Sequence, residues 1–479
     1  MALTSLEFLI FVVVAVFVFH ARTSLLYRRW VLTLANALFL LSFVHDWTEL
    51  LPLLIFLGVG FIALYSVKPG QSLTGGWAIT IVVILFVYLK RYTFMAFLPG
   101  LPFPYLGVGL SYILFRILQL LIDRTSGTEE RVLSLHEFFD YTCGFLSFVS
   151  GPIQRSGDFL VNQEQLDRPV TSELAYASFA RIALGYLKVA VVSACAFFVF
   201  QNASSTLLGT THSLRGSTLW MYFTVAVASY TAYLYYNFAG YMDIVIGIAR
   251  LLGQDLPENF DHPFRARNLF EFWSRWHMTL SEWFKTYLFN PLLGLFVQRA
   301  PAPTALPYLG VFAFFVTFFV MGVWHGSTLV FVVYGLLMGA GVSTVKVWQM
   351  FLTARLGKKA YRDLGNRWLY ANVARGITCA FFAIAVTALW VDFAQMSLLV
   401  HELGVEGLLV CFALLTTLGT CILPLSDRIV TYVEHLRQPG ILKSGRAYFG
   451  QLGLAAQVLL ILVVASFFHK APEFVYKAF

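Results

Sequence analysis

Two histidines carry the sequence's chemical potential. His277 stands in Glu271-Phe-Trp-Ser-Arg-Trp-His-Met-Thr-Leu-Ser281 and His325 in Gly322-Val-Trp-His-Gly326, each directly after a tryptophan. Both lie in or beside apolar sequence, where an ionisable group is expensive and by default marks function. A neutral imidazole near pH 7 can take the proton of a hydroxyl as that hydroxyl attacks an acyl carbon. His325 is placed for this, at a turn between two long apolar runs. Gly322 and Gly326 beside it permit close backbone approach. The alternative for His325 is a histidine satisfied by a backbone carbonyl between two helices. Trp324 can stack on a substrate or wall off lipid. His277 has Arg275 two positions before it and Ser281 four after. It can serve as a second base, a hydrogen-bond partner or a structural residue. Its run has helical spacing, with Trp273, Trp276, Leu280 and Phe284 near one face. Glu271 is expected to pair with Arg275 in the same helix, worth a few tenths of a kcal/mol if exposed.

Other polar positions are more ambiguous. Asp243, in Phe238-Ala-Gly-Tyr-Met-Asp243, can anchor a neighbouring basic residue or face water at a helix end. The turn-rich Pro257-Glu-Asn-Phe-Asp-His-Pro263 lacks zinc spacing, so no metal is expected. The five cysteines are scattered, with no CxxC, and indicate neither a disulfide framework nor a metal site. GxSxG, P-loop, HExxH and dinucleotide glycine patterns are missing, which weighs against hydrolase, ATPase, protease and dehydrogenase readings.

The rest of the chain reads as a membrane body. Of its 479 residues 59% are hydrophobic and 12% charged, against about 25% charged in a soluble domain. Several apolar runs approach the roughly 20 residues that span a bilayer. Candidate spans are Leu6–Phe19, Trp30–Phe43, Leu51–Val67, Trp77–Tyr88, Tyr105–Ile122, Leu174–Phe200, Leu219–Phe238, Leu306–Val323, Leu329–Val345, Val373–Val391, Val405–Leu423 and Leu454–Phe468. The first reads as a retained helix, because no basic residue precedes it and His20-Ala-Arg22 follows it. The net charge of +8 gathers in loops such as Arg22–Arg29 and Arg355–Arg367. It therefore reads as topology rather than as nucleic-acid binding. These loops, with Arg124–Arg131 and Arg250–Arg275, are expected in the cytoplasm and the N-terminus outside. Lys90 and Arg91 disagree with this count and either snorkel or line a polar cavity. Phe138–Pro152 and Phe270–Leu295 fit neither a span nor a loop and are expected to be re-entrant or interfacial.

The chain resembles the membrane-bound O-acyltransferase superfamily, in particular the bacterial branch of the alginate O-acetylation membrane subunit and the teichoic-acid D-alanyl transfer protein. The stretches that carry the resemblance are Leu106–Tyr112, Ser150-Gly-Pro-Ile-Gln-Arg155, Phe238–Asp243, Pro257–Pro263, Glu271–Ser281, Gly322–Gly326 and Val333-Tyr-Gly335. They are dense over about residues 105–340. Trp390-Val-Asp-Phe393 and Phe474-Val-Tyr476, among the less typical C-terminal helices 370–479, match weakly.

The resemblance implies an all-α polytopic membrane protein, a single domain over 1–479, with about 11–12 tilted spanning helices around a central funnel. It implies that His325 matches the family's catalytic histidine and His277 its second histidine. Trp324, Trp276, Tyr334, Arg275 and Asp243 are the candidate substrate-binding residues, with Arg275 available to phosphates or an acidic carrier. An acyl thioester, acetyl-CoA or an acyl carrier protein, is expected as co-substrate from the cytoplasm, with no bound cofactor. The acceptor is expected to be a cell-envelope polysaccharide, reached with an extracytoplasmic acyltransferase partner, from the bacterial cytoplasmic membrane. Acetyl transfer is favoured by the C-terminal spans, whereas Phe238–Tyr241 and Ser150–Ser156 lean toward D-alanyl transfer. A transporter would show paired broken helices in two related halves, and no such repeat is evident. A scaffold would dispense with both histidines.

Overall fold

The computed structural model describes residues 5–436, except 102, 104, 130, 210–213, 300 and 301, together with residue 459. In chain order the helices are α1 (Leu6–His20), α2 (Leu25–Leu41), α3 (Leu51–Ser66), α4 (Ser72–Lys90), α5 (Leu110–Thr125), α6 (Leu135–Cys143), α7 (Ser156–Glu164), α8 (Ser172–Leu187) and α9 (Ala194–Gly209). There follow α10 (Gly216–Leu251), α11 (Leu269–Trp273), α12 (Met278–Phe284), α13 (Asn290–Arg299), α14 (Leu306–Trp324), α15 (Leu329–Leu356), α16 (Lys358–Gly365), α17 (Trp368–Ala385) and α18 (Phe393–Leu436). No strand occurs among the described residues.

Seven helical stretches among the described residues are long and apolar enough to cross a membrane. They coincide with the expected spans beginning at Leu51, Trp77, Leu174, Leu306, Leu329, Val373 and Val405. This is a multi-pass, all-α membrane protein. In the last of the seven only 11% of the apolar window is buried by protein, so its hydrophobic surface requires lipid as its solvent. Leu6–Phe19 forms the shorter helix α1. Trp30–Phe43 and Tyr105–Ile122 lie mainly on α2 and α5, which are shorter or more polar than a typical span. Leu219–Phe238 lies within α10, whose tyrosines and Asn237 lower its hydropathy. Leu454–Phe468, apart from Leu459, and Phe474–Tyr476 lie outside the described residues.

The chain divides into two compact units. The first holds the chain up to Tyr186 together with Phe238–Glu258. Its centre is the non-helical backbone that follows α6. A capping box of Ser134 and Glu137 starts α6, and Gly144 follows its end. Between α6 and α7 the chain is largely buried and forms no helix, only isolated turn bonds such as that from the Gly151 amide to Ser147 O at 3.1 Å. Non-helical backbone survives at such depth only if its polar groups find partners within the protein. Here Arg116 of α5 donates to the carbonyls of Thr142 (2.7 Å) and Ser147 (2.9 Å). Tyr141 donates to Gln154 O and Tyr241 to Gly151 O. The amide of Phe145 is satisfied by Asn36 Oδ1 at 2.8 Å. The expected departure of Phe138–Pro152 from a plain span is therefore a protein-lined irregular segment.

Among the described residues the second unit holds Leu187–Asn237 and the chain from Asn259 through α18. Its main hairpin is α14 and α15, joined by His325–Thr328. The two helices touch backbone to backbone: a Cβ added at Gly322 would lie 2.3 Å from the Gly335 Cα. No residue but glycine fits this crossing, which fixes the hairpin's end. Phe270–Leu295 is broken into α11, α12, a π-helical turn and α13. The single helical run expected across Glu271–Ser281 is thus corrected: the helix ends at Trp273 and restarts at Met278.

Candidate active site

His277 caps α12 in the left-handed region, with φ 47° and ψ 52°. Such a conformation is uncommon outside glycine and costs about 1–2 kcal/mol, so neighbouring bonds must hold it. They come from a short antiparallel pairing of residues 259–261 with 275–278. Phe260 and Trp276 face each other in an isolated bridge. The Asp261 amide donates to Arg275 O (2.9 Å) and the Met278 amide to Asn259 O (3.0 Å). Trp276 stacks on Phe272 at 5.5 Å and meets Phe260 edge-on at 5.2 Å. This pairing takes the backbone bonds that a continuous helix would have used, which is why helical spacing misled here.

Asn259 orients the imidazole. Its Oδ1 accepts from the Thr279 amide (3.1 Å) and the Thr279 hydroxyl (3.0 Å). A backbone N–H can only donate, so the atom facing it is the amide oxygen. His277 Nδ1 lies 3.2 Å from that same oxygen. Nδ1 therefore carries the proton, and in the neutral ring Nε2 keeps its lone pair. His277 is 0% exposed. Burial, and after it the proximity of His325, hold its pKa well below the ordinary imidazole range. At neutral pH it is an uncharged base.

His325 follows the last residue of α14, its amide donating to Gly322 O at 3.2 Å. It is buried. Its ring lies 4.9 Å from that of Trp324 and 5.7 Å, edge-on, from that of Tyr334 on α15. Tyr334 immediately precedes Gly335, so the glycine crossing that fixes the hairpin also sets the partner of the imidazole. A Cβ at Gly326 would lie 2.0 Å from the Phe331 ring, which closes the turn behind His325.

The family match now bears on this geometry. A model of the membrane-bound O-acyltransferase family matches residues 108–387, more than half of the chain. The chain belongs to the membrane-bound O-acyltransferase family. It is similar to a teichoic acid D-alanyltransferase of Bacillus subtilis, 28% identical over 54% of this chain and 63% of that protein. It is also similar to a probable alginate O-acetylase of Pseudomonas fluorescens, 28% identical over 48% of this chain and 43% of that one. A peptidoglycan O-acetyltransferase of Helicobacter pylori is 31% identical over 45% and 38% respectively. The aligned chain therefore spans from 38% to 63% of the length of these three relatives.

Within this family member, the second unit holds His277, Trp276, His325, Trp324, Tyr334 and Arg275. His277 and His325 are near enough to interact electrostatically. Arg275 sits at the edge of the backbone pairing, where it donates to Asp261 Oδ2 (2.9 Å) and lies 3.4 Å from Glu271 Oε1. The expected Glu271–Arg275 pair forms, but across the end of α11 rather than within one helix. Asp243 belongs to the first unit, where it accepts from Arg181 Nε at 3.0 Å; Arg181 also pairs with Glu258. Lys90 donates to Ser111 Oγ at 3.4 Å. Sequence reasoning gave no role to Asn259 or Thr279. The only signal for Asn259 was its place in the turn-rich Pro257–Pro263, which also belongs to the matching stretches.

Proposed function

We propose that the protein is a membrane O-acyltransferase that moves an acyl group, acetyl in the first instance, from a cytoplasmic thioester toward hydroxyls of a cell-envelope polysaccharide. The observation that carries this reading is a pair of buried, interacting histidines, one of them held neutral in a defined tautomer. In this reading His325 takes the proton of the acceptor hydroxyl as its oxygen attacks the acyl carbon. The carbon–sulfur bond then breaks, and the proton passes to the departing thiolate. Removing water from around the imidazole strengthens each electrostatic contact in the step. His277, kept uncharged, avoids placing a second positive charge beside His325 as His325 gains its proton. In this reading Trp324 and Tyr334 shape the site, and Arg275 would meet the donor's phosphates or an acidic carrier.

The relatives support both acetyl and D-alanyl transfer. D-alanyl transfer from a carrier protein to a teichoic-acid-like polymer is the second reading, favoured by the similarity to the Bacillus protein. Placement in the bacterial cytoplasmic membrane and an extracytoplasmic partner belong to the same proposal. The test is purified protein with acetyl-CoA or a D-alanyl carrier thioester, following loss of the thioester. His325→Ala should lower the rate by about 10²–10⁴-fold, the usual contribution of a general base, with unchanged thermal stability. Full activity in that variant would remove His325 from the mechanism.

A further inference from the structure

A cavity of about 520 Å³ lies in the second unit, away from both histidines in sequence and walled by α15, α16 and α17. Its size falls in the range of roughly 300–1,000 Å³ common for small-molecule sites. The walls are apolar and aromatic, with Val345, Trp348, Val373 and Ile377 among them. Arg362 and Arg267 stand at its polar side. Arg267 is already engaged, donating to Gly365 O (3.1 Å) and to Glu271. Arg362 is exposed and has no carboxylate partner among the described residues. The surrounding stretch carries Arg355, Lys358, Lys359, Arg362 and Arg367 against a single acid, Asp363. The positive-inside rule assigns this stretch to the cytoplasm. Trp348, about two turns before the end of α15, and Trp368, the first residue of α17, are 52% and 64% exposed; tryptophans of this kind are enriched at the membrane–water boundary.

An apolar hollow edged by the exposed Arg362 and adjoining a stretch of five basic residues against one acid has the chemistry of one occupant. We propose that this cavity binds an anionic phospholipid of the cytoplasmic leaflet, its acyl chain between α15 and α17 and its phosphate at Arg362. The apolar walls disfavour a free polar nucleotide, and the basic rim disfavours a zwitterionic lipid relative to an anionic one. Arg267 and Asn268, on the cavity wall, lead directly into α11. Asn268 caps that helix through the Glu271 amide at 3.0 Å. The occupant would therefore brace the start of the segment that carries His277. This proposal goes beyond the acyl-transfer reading and rests on none of it.

The test uses the full chain, delipidated in detergent, titrated with phosphatidylglycerol or phosphatidylcholine and followed by native mass spectrometry and thermal unfolding. Phosphatidylglycerol should bind and raise the unfolding temperature more than phosphatidylcholine. Arg362→Gln should weaken phosphatidylglycerol about fivefold, the effect of one basic residue at an anionic lipid surface. Arg22→Gln, which removes an exposed charge from another loop, should not. Ala374→Phe, which fills the hollow, should abolish binding; Arg362→Gln reads the site even if that variant fails to fold. Equal binding of both lipids, equal loss in Arg362→Gln and Arg22→Gln, or full competition by inorganic phosphate would overturn the proposal.

Discussion

Replacing Asn259 tests the orientation of His277 directly. Its Oδ1 faces three donors: His277 Nδ1, the Thr279 amide and the Thr279 hydroxyl. Asn259→Leu would strand the buried His277 Nδ1–H, at about 1–3 kcal/mol, and leave the half-buried Thr279 amide without its acceptor at a smaller further cost. Against a typical stability of about 5–15 kcal/mol, that variant tests folding more than chemistry. Asn259→Asp is the sharper probe. The carboxylate accepts from the same donors, and those bonds favour its ionised form. It also places a negative charge where the imidazole now meets a neutral amide. An opposite charge at this distance raises an imidazole pKa by about 1–3 units. His277 would then hold its proton to higher pH. The assay is the titration of the His277 ring itself, followed by NMR of the imidazole, with thermal unfolding alongside. The His277 titration should move up by at least about one unit, with near-native unfolding temperature. A native-like protein with an unmoved His277 titration would refute the claim that Asn259 sets the state of His277.

Three further outcomes follow from the same geometry. The native pKa of His277 is depressed, so above about pH 6.5 both folded and unfolded states are neutral there and it contributes no slope. Below that pH the unfolded chain takes up a proton that the native state refuses, and stability should fall by about 1.4 kcal/mol per pH unit. His277→Gln should flatten that acid-side loss in a pH series of unfolding temperatures; an unchanged slope would assign the loss to other groups. Gly322→Ala sets a methyl against the Gly335 backbone and should cost about 1–3 kcal/mol while lowering turnover, because His325 rides on the same crossing. Phe312→Ala, at an exposed position of α14, should leave turnover within about twofold, as befits a surface substitution worth some ±0.5 kcal/mol.

The apolar runs told most of the fold, because a bilayer demands long stretches of uncharged helix and composition reports this directly. The position of His325 in the fold, at the junction of α14 and α15, was legible for the same reason: it interrupts two such stretches, with Gly322 and Gly326 close by. The environment of His277 was less so. Trp273, Trp276, Leu280 and Phe284 do recur with helical spacing, yet residues 275–278 bond to 259–261. A pairing between short, aperiodic segments leaves no periodic trace in sequence. For the same reason Asn259 and Thr279 went unassigned. Arg116 was hidden too, since an arginine in an apolar run does not say which carbonyls it will serve. The cavity beside α16 depends on three helix ends, and only the charge of Arg355–Arg367 hinted at it.

The contact between Gly322 and Gly335 bears on how the protein can move. Two helices whose main chains touch cannot slide past each other, since any translation drives one ridge of atoms into the next. A thicker or thinner bilayer would tilt α14 and α15 as one rigid lever. The imidazole at their junction would keep its alignment with Trp324 and Tyr334 throughout. Adjustment to a substrate then falls to the elements that bring His277, whose short helices and aperiodic joints can yield.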